Sequence, residues 1–201
     1  MAKTLGHLEQ GLDAAANALD GLGAAWALVG GLAVSLRAEP RLTRDADLAV
    51  AASDDRQAEA VVFALTSQGF RMSQVLEHES SGRLATARLV APGHGPVVLV
   101  DLLFHSSGIE PEIVKAAEPV RLWDHEVPVA RTGHLVVLKL LARSPDRPQD
   151  AIDLVALRRV CTSDELRRAE RAAELIQLRG CNRNRDLPSL IRDWWGVGTG
   201  A

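Results

Sequence analysis

An α/β fold, a mixed sheet with helices packed on it and a helical C-terminal subdomain behind, is what this 201-residue sequence predicts. Three observations lead there. Up to about residue 131, short apolar runs of strand length alternate with segments of helical period. Residues 97–104 are apolar on both faces, as a central strand covered on both sides must be, yet Asp101 sits among them. From Thr132 onward every periodic segment is helical.

In chain order, Leu8, Leu12, Ala15, Ala16 and Leu19 recur at helical spacing, so residues 5–20 read as an amphipathic helix ended by Gly21 and Gly23. A strand at 25–29, a helix at 31–38 and a strand at 44–50 follow. Ser53, Asp54 and Asp55 cap a helix that runs to about Gln68 and stops at Gly69. Residues 71–77, 83–91 and 97–104 read as strands, the last two joined by the turn Pro92-Gly93-His94-Gly95-Pro96. Residues 105–131 are transitional, with a short helix near 110–117 and short strands at 120–123 and 127–130. Helices at 132–143, 148–160, 163–179 and 187–195 complete the chain, and 197–201 reads as a frayed tail. The boundary falls near residue 131, giving a core of 1–131 and a helical subdomain of 132–201.

Composition narrows the function classes. With 47% hydrophobic residues the chain can build a real core, and a net charge of −3 gives no global basic signal for nucleic acid. Aromatic residues are few and tyrosine is absent, which argues against a base-stacking platform for single strands. Cys161 and Cys181 fit neither a metal spacing nor a disulfide framework. No run approaches the roughly 18 apolar residues of a membrane span. These features place the chain in the cytoplasm, away from membranes.

The chemistry is concentrated in two places. Asp45 and Asp47 stand two apart on a strand and therefore project from one face. Such a pair is either a solvated strand edge or a site for a hard divalent cation, which takes oxygen ligands. Asp101, inside its apolar run, must be paired, protonated or metal-bound, and pairing with an arginine is one solution. Gly30-Gly31 follow the apolar run Trp26-Ala27-Leu28-Val29 and open a helix. That is the geometry in which backbone N–H groups meet a phosphate, although a lone Gly-Gly is more often only a turn. The six histidines are scattered. His105, close after Asp101, is either a site residue or a surface loop residue.

Taken together, Gly30-Gly31, Arg41-x-Thr43-x-Asp45-x-Asp47 and Asp101 resemble the DNA polymerase β-like nucleotidyltransferase superfamily, and within it the AbiEii-type minimal nucleotidyltransferases. A second block extends the resemblance to about residue 160: Leu138-Lys139-Leu140-Leu141-Ala142-Arg143, then Arg147-Pro148-Gln149-Asp150-Ala151-Ile152-Asp153-Leu154. Departures are Gly31 where many members have serine, Gln149 where this branch often has lysine, and Ala46 where a larger residue is usual. None removes a carboxylate.

The resemblance implies transfer of a nucleoside monophosphate from a nucleoside triphosphate to an acceptor hydroxyl. Mg²⁺ or Mn²⁺ would be held by Asp45, Asp47 and Asp101. Gly30, Gly31, Arg41, Thr43 and Lys139 would contact the nucleotide, unless Lys139 only snorkels from an amphipathic helix. The AbiEii-type branch implies the toxin of a toxin–antitoxin pair, acting on RNA such as tRNA or on protein. Other readings are an antibiotic-type small-molecule transferase and a non-catalytic relative that binds nucleotide or a partner. Arg167, Arg168, Arg171, Arg179, Arg183 and Arg185 form either a solvated face or an RNA surface.

Overall fold

The computed structural model describes residues 2–78 and 81–196, so the expected tail at 197–201 lies outside the described residues. The chain order is α1 (Ala2–Gly21), β1 (Trp26–Val29), α2 (Gly30–Arg37), β2 (Asp45–Val50), α3 (Asp55–Ser67), β3 (Arg71–Glu77), β4 (Leu84–Val90) and β5 (Leu99–Leu103). Then come α4 (Glu110–Ala116), β6 (Glu118–Leu122), β7 (His125–Val129), α5 (Thr132–Ala142), α6 (Pro148–Val160), α7 (Ser163–Leu178) and α8 (Leu187–Gly196). Among the described residues no helix is long and apolar enough to cross a membrane.

Seven strands form one sheet in the order β3-β4-β5-β2-β1-β7-β6. It is mixed because β2 runs parallel to β5 and β1 parallel to β7, while the other neighbours are antiparallel. The two short strands expected after residue 118 pair with each other as β6 and β7, turning at Trp123 with φ 52. β7 then docks on β1 and widens the sheet.

Strand parity divides the sheet. Ala46, Leu48 and Val50 of β2 and Val100 and Leu102 of β5 are fully buried. Residues of the opposite parity include Asp45, Asp47 and Asp101. The amphipathic face of α1, with Leu8, Leu12, Ala15 and Leu19 all buried, packs over β2 and β5. The N-terminus of α3 is capped by Asp54, whose carboxylate accepts the Gln57 N–H at 2.9 Å. At the far end, Trp194 donates to the Leu154 carbonyl at 3.1 Å and the Arg158 guanidinium lies 3.6 Å from the Trp195 ring centroid, which fastens α8 to α6.

The helical half carries one buried imidazole. His134 of α5 is only 5% exposed, and burial first, then the neighbouring Arg168, pushes its pKa from 6.5 down to about 4. Glu165 and Glu112 oppose that shift and Arg131 adds to it. The unfolded chain therefore binds the proton more readily than the folded one. Stability is fully present above pH 6.5 and is lost as pH falls toward 4, by about 3 kcal/mol from this group. Urea unfolding across that window should show a larger loss for wild type than for His134→Gln.

Candidate active site

The parallel register of β2 and β5 sets Asp47 beside Asp101, with Asp45 one position of the same parity earlier. The antiparallel pairing of β1 with β2 puts Val29, the residue before the glycine turn, opposite Asp47. The three acids and the turn thus meet on three adjacent strands, from three segments of chain. Gly30 has φ +64, a conformation that favours glycine, and a Cβ there would overlap the Asp47 carboxylate. A Cβ on Gly31 would stand 2.5 Å from Nη2 of Arg41. The glycines are therefore required first by the close approach of two side chains of the protein itself. Gly30→Ala should displace the Asp47 carboxylate and lower kcat/KM about a hundredfold, with a small fall in Tm. Unchanged kinetics would show that the turn tolerates the side chain and that the carboxylate is not positioned by it.

Burial and, after it, crowding of like charge shape the electrostatics of the acids. Burial first, then the Asp101 charge, raises the Asp47 pKa from 3.8 to about 6; Asp45 adds to this, while Lys139 and the Gly31 N–H oppose it. Asp45 is raised for the same two leading reasons, with Arg88 and Arg44 opposing. Neither carboxylate has a salt-bridge partner among the described residues. Asp101 does. Both of its oxygens accept from Arg88, at 2.7 Å each, in a fork from the neighbouring strand β4. This is the arginine pairing open to a buried strand acid.

Behind this triad lies a second ionic cluster. Arg41 grips Asp153 of α6, with Nη2 at 2.9 Å from Oδ2 and Nε at 2.7 Å from Oδ1. The Lys139 ammonium sits 2.8 Å from both Asp150 and Asp153. Lys139 is 7% exposed and the two acids 2% and 1%. Snorkelling is thus excluded: the charged head is inside, held between carboxylates. Arg147 also lies 3.0 Å from Asp150. Burial would raise the Asp153 pKa, but the bonds from Arg41 and Lys139 hold it below its ordinary value. The cluster ties the segment between α2 and β2 to α5 and α6. Thr43 points its hydroxyl to the Asp45 carbonyl, at 3.4 Å.

Other candidates lie elsewhere. His105 turns away from the acids, with Nε2 3.9 Å from Cys181 Sγ and its ring edge-on to His78. Most C-terminal arginines are occupied as staples. Arg179 forks onto Glu112, Arg183 reaches Ser106, Arg185 holds the Leu140 carbonyl and Arg167 pairs with Asp164. Sequence reasoning missed Arg88, Asp150 and Asp153 as members of the charge network. The period of β4 could have flagged Arg88, and the i,i+3 spacing of the two acids could have placed them on one helix face.

Donor chemistry is the test of a metal here. Asp45 and Asp47 fit a hard divalent cation: two carboxylates without a salt bridge among the described residues, with pKa values raised first by burial and then by the Asp101 charge. Asp101 stands beside them with its oxygens held by Arg88. The one group of three titratable ligands whose atoms all lie within 4.8 Å among the described residues is a different one, Glu9, Asp13 and His125.

The chain as a whole is similar to known proteins. The family described as "Nucleotidyl transferase AbiEii toxin, Type IV TA system" matches residues 13–194. Among solved structures, the antibiotic-resistance factor ANT(2'')-Ia superposes with a TM-score of 0.52 at 18% identity, covering 98% of this chain and 96% of that one. An antigenic nucleotidyltransferase-like protein from Paracoccidioides brasiliensis gives a TM-score of 0.49 at 18% identity, with 92% of each chain covered. No curated protein matches by sequence. At 18% identity the likeness to ANT(2'')-Ia speaks for the fold alone.

Proposed function

From the premise that the chain belongs to the AbiEii nucleotidyltransferase family, and is a nucleotidyltransferase, we propose that it moves a nucleoside monophosphate from a nucleoside triphosphate to an acceptor hydroxyl on RNA or protein, as the toxin of a toxin–antitoxin pair. The observation that carries the reading is the juxtaposition of unpaired Asp45 and Asp47 with Asp101 at the Gly30-Gly31 turn. Asp45 and Asp47 would hold Mg²⁺ or Mn²⁺, with Asp101 completing the set. Bound there, the metal would supply charge stabilisation at the reacting phosphate.

The protein's own residues do the rest. The acidic face of the sheet fixes where the triphosphate can lie. Arg41 and Lys139 set positive charge behind it, and their carboxylate partners keep both cations at fixed positions. Arg88 fixes the Asp101 carboxylate in one rotamer by its two bonds. The acceptor hydroxyl oxygen bonds to the α-phosphorus as its proton passes to bulk water and the bond to the pyrophosphate oxygen breaks, releasing pyrophosphate. We treat residues 1–131 as the catalytic core and 132–201 as the helical subdomain, with the Arg41–Asp153–Lys139 cluster as their joint.

The test is incubation with each α-labelled nucleoside triphosphate and Mg²⁺ or Mn²⁺, against total RNA, cell lysate and a panel of hydroxyl-bearing antibiotics. Label on RNA or protein, lost with EDTA, is the expected result. Label on a small molecule alone would replace the acceptor class. Triphosphate binding with no pyrophosphate release under any condition would mark a non-catalytic binder and overturn the reading.

A further inference from the structure

A second concave site has a lining separate from the acids. It is a cleft of about 360 Å³ between α4 and α7, a volume in the range of small-molecule pockets. His134 lines it and lies five residues before Lys139, so the two side chains leave α5 on different faces. The cleft shares no lining residue with the Asp45–Asp47–Asp101 site. We infer that this cleft binds a small organic anion, a phosphate or carboxylate carried on an apolar body.

Charge is the first argument. Lys115, Arg168 and Arg171 surround the cleft. The side chains of Lys115 and Arg171 have no hydrogen bond or ion pair among the described residues. Arg168 stands 3.5 Å from Glu165, and its buried Nε has no hydrogen-bond partner. Glu112, the one acid in the lining, is already taken by Arg179, with one oxygen 2.6 Å from Nη2 and the other 3.0 Å from Nη1. The charges of Lys115 and Arg171 therefore go uncompensated at the rim.

The second argument is an unmade bond. His134 is 95% buried, as its 5% exposure states, and its Nδ1 has no partner. Buried polar atoms without partners are uncommon and cost free energy. A polar ligand atom in the cleft, reached by a small turn of the ring, would supply one. The third argument is the floor. Ile109 and Ala172 are buried and Leu175 half-buried, so the cleft offers an apolar surface below its cations. Cations over an apolar floor suit an amphipathic anion better than a metal ion. They also suit it better than a nucleic-acid backbone, which needs a track of free cations, whereas Arg167, Arg179, Arg183 and Arg185 are tied to the protein itself.

Two-dimensional ¹⁵N NMR titration of the whole protein with phenyl phosphate, benzoate, inorganic phosphate and benzyl alcohol tests this, free of any assumption about catalysis. Saturable shifts of the Lys115, Ala116, Ala172 and Leu175 amides and of the His134 ring nitrogens are expected with phenyl phosphate or benzoate. Which of the two binds more tightly identifies the anion. Lys115→Glu with Arg171→Glu should raise Kd at least about tenfold and leave nucleotidyl transfer without added ligand unchanged. Benzyl alcohol binding as well as the anions would reduce the cleft to an apolar groove and overturn the inference. So would inorganic phosphate binding as well as phenyl phosphate, shifts centred on Gly30 and Asp47 that survive the charge reversals, or no saturable shift by about 10 mM.

Discussion

Asp47→Ala eliminates nucleotidyl transfer, by about a thousandfold or more, and leaves a protein that is at least as stable as wild type. The first half follows from position. Asp47 is at the centre of the acid cluster, beside Asp101 in register and against the glycine turn. Electrostatic groups aimed at a reacting phosphate act as a unit, so adding Asp45→Ala should cost little more. The second half follows from charge. Asp47 has no salt bridge among the described residues and is crowded by Asp101 and Asp45. Removing a half-buried carboxylate in that state relieves repulsion, and a gain of about 1–2 kcal/mol in metal-free buffer is expected. The measurements are incorporation of labelled nucleotide and thermal unfolding in EDTA. Near wild-type turnover would remove Asp47 from the site. Loss of activity with a large loss of stability would make it a structural residue.

Lys139→Met gives the opposite pattern. It keeps most of the apolar stem, yet the ammonium lies between two carboxylates that are 2% and 1% exposed. Breaking one side of a buried pair leaves the other charge uncompensated, at a cost of about 3–5 kcal/mol. Arg41 on Asp153 and Arg147 on Asp150 remain, so about 3 kcal/mol is the expected loss. A double-mutant cycle with Asp153→Asn separates the two roles of the lysine. Strong coupling in urea unfolding measures the cluster. A rise in triphosphate KM that persists in the Lys139→Met/Asp153→Asn background measures a contact with phosphate. Unaltered stability in Lys139→Met would show that the cluster opens freely in solution.

The contrast between these residues shows which features are local. Asp45 and Asp47 could be assigned to one face from their spacing, because strand parity is a property of the backbone. The Asp54 cap, the glycine stop after α3 and the helical run from Thr132 are equally local. Arg88 was harder. Its partner is thirteen residues away on another strand, and only the antiparallel register of β4 with β5 brings the fork onto Asp101. Chain distance from Asp101 left His105 either a site residue or a surface loop residue, and the fold turns it to Cys181.

Sequence alone determined the fold class, the strand that carries the acid pair and the buried third acid, since these rest on periodicity, glycine and short spacings of charged residues; the family came from the resemblance of these motifs to a known one. Tertiary structure decided what each charge does. It gave Asp101 to Arg88, put Lys139 and Arg41 on Asp150 and Asp153, left Asp45 and Asp47 unpaired, and used most C-terminal arginines as staples. The reason is physical. A residue's identity fixes its charge and reach, but the partner that offsets the cost of burying that charge is chosen by packing between elements far apart in the chain.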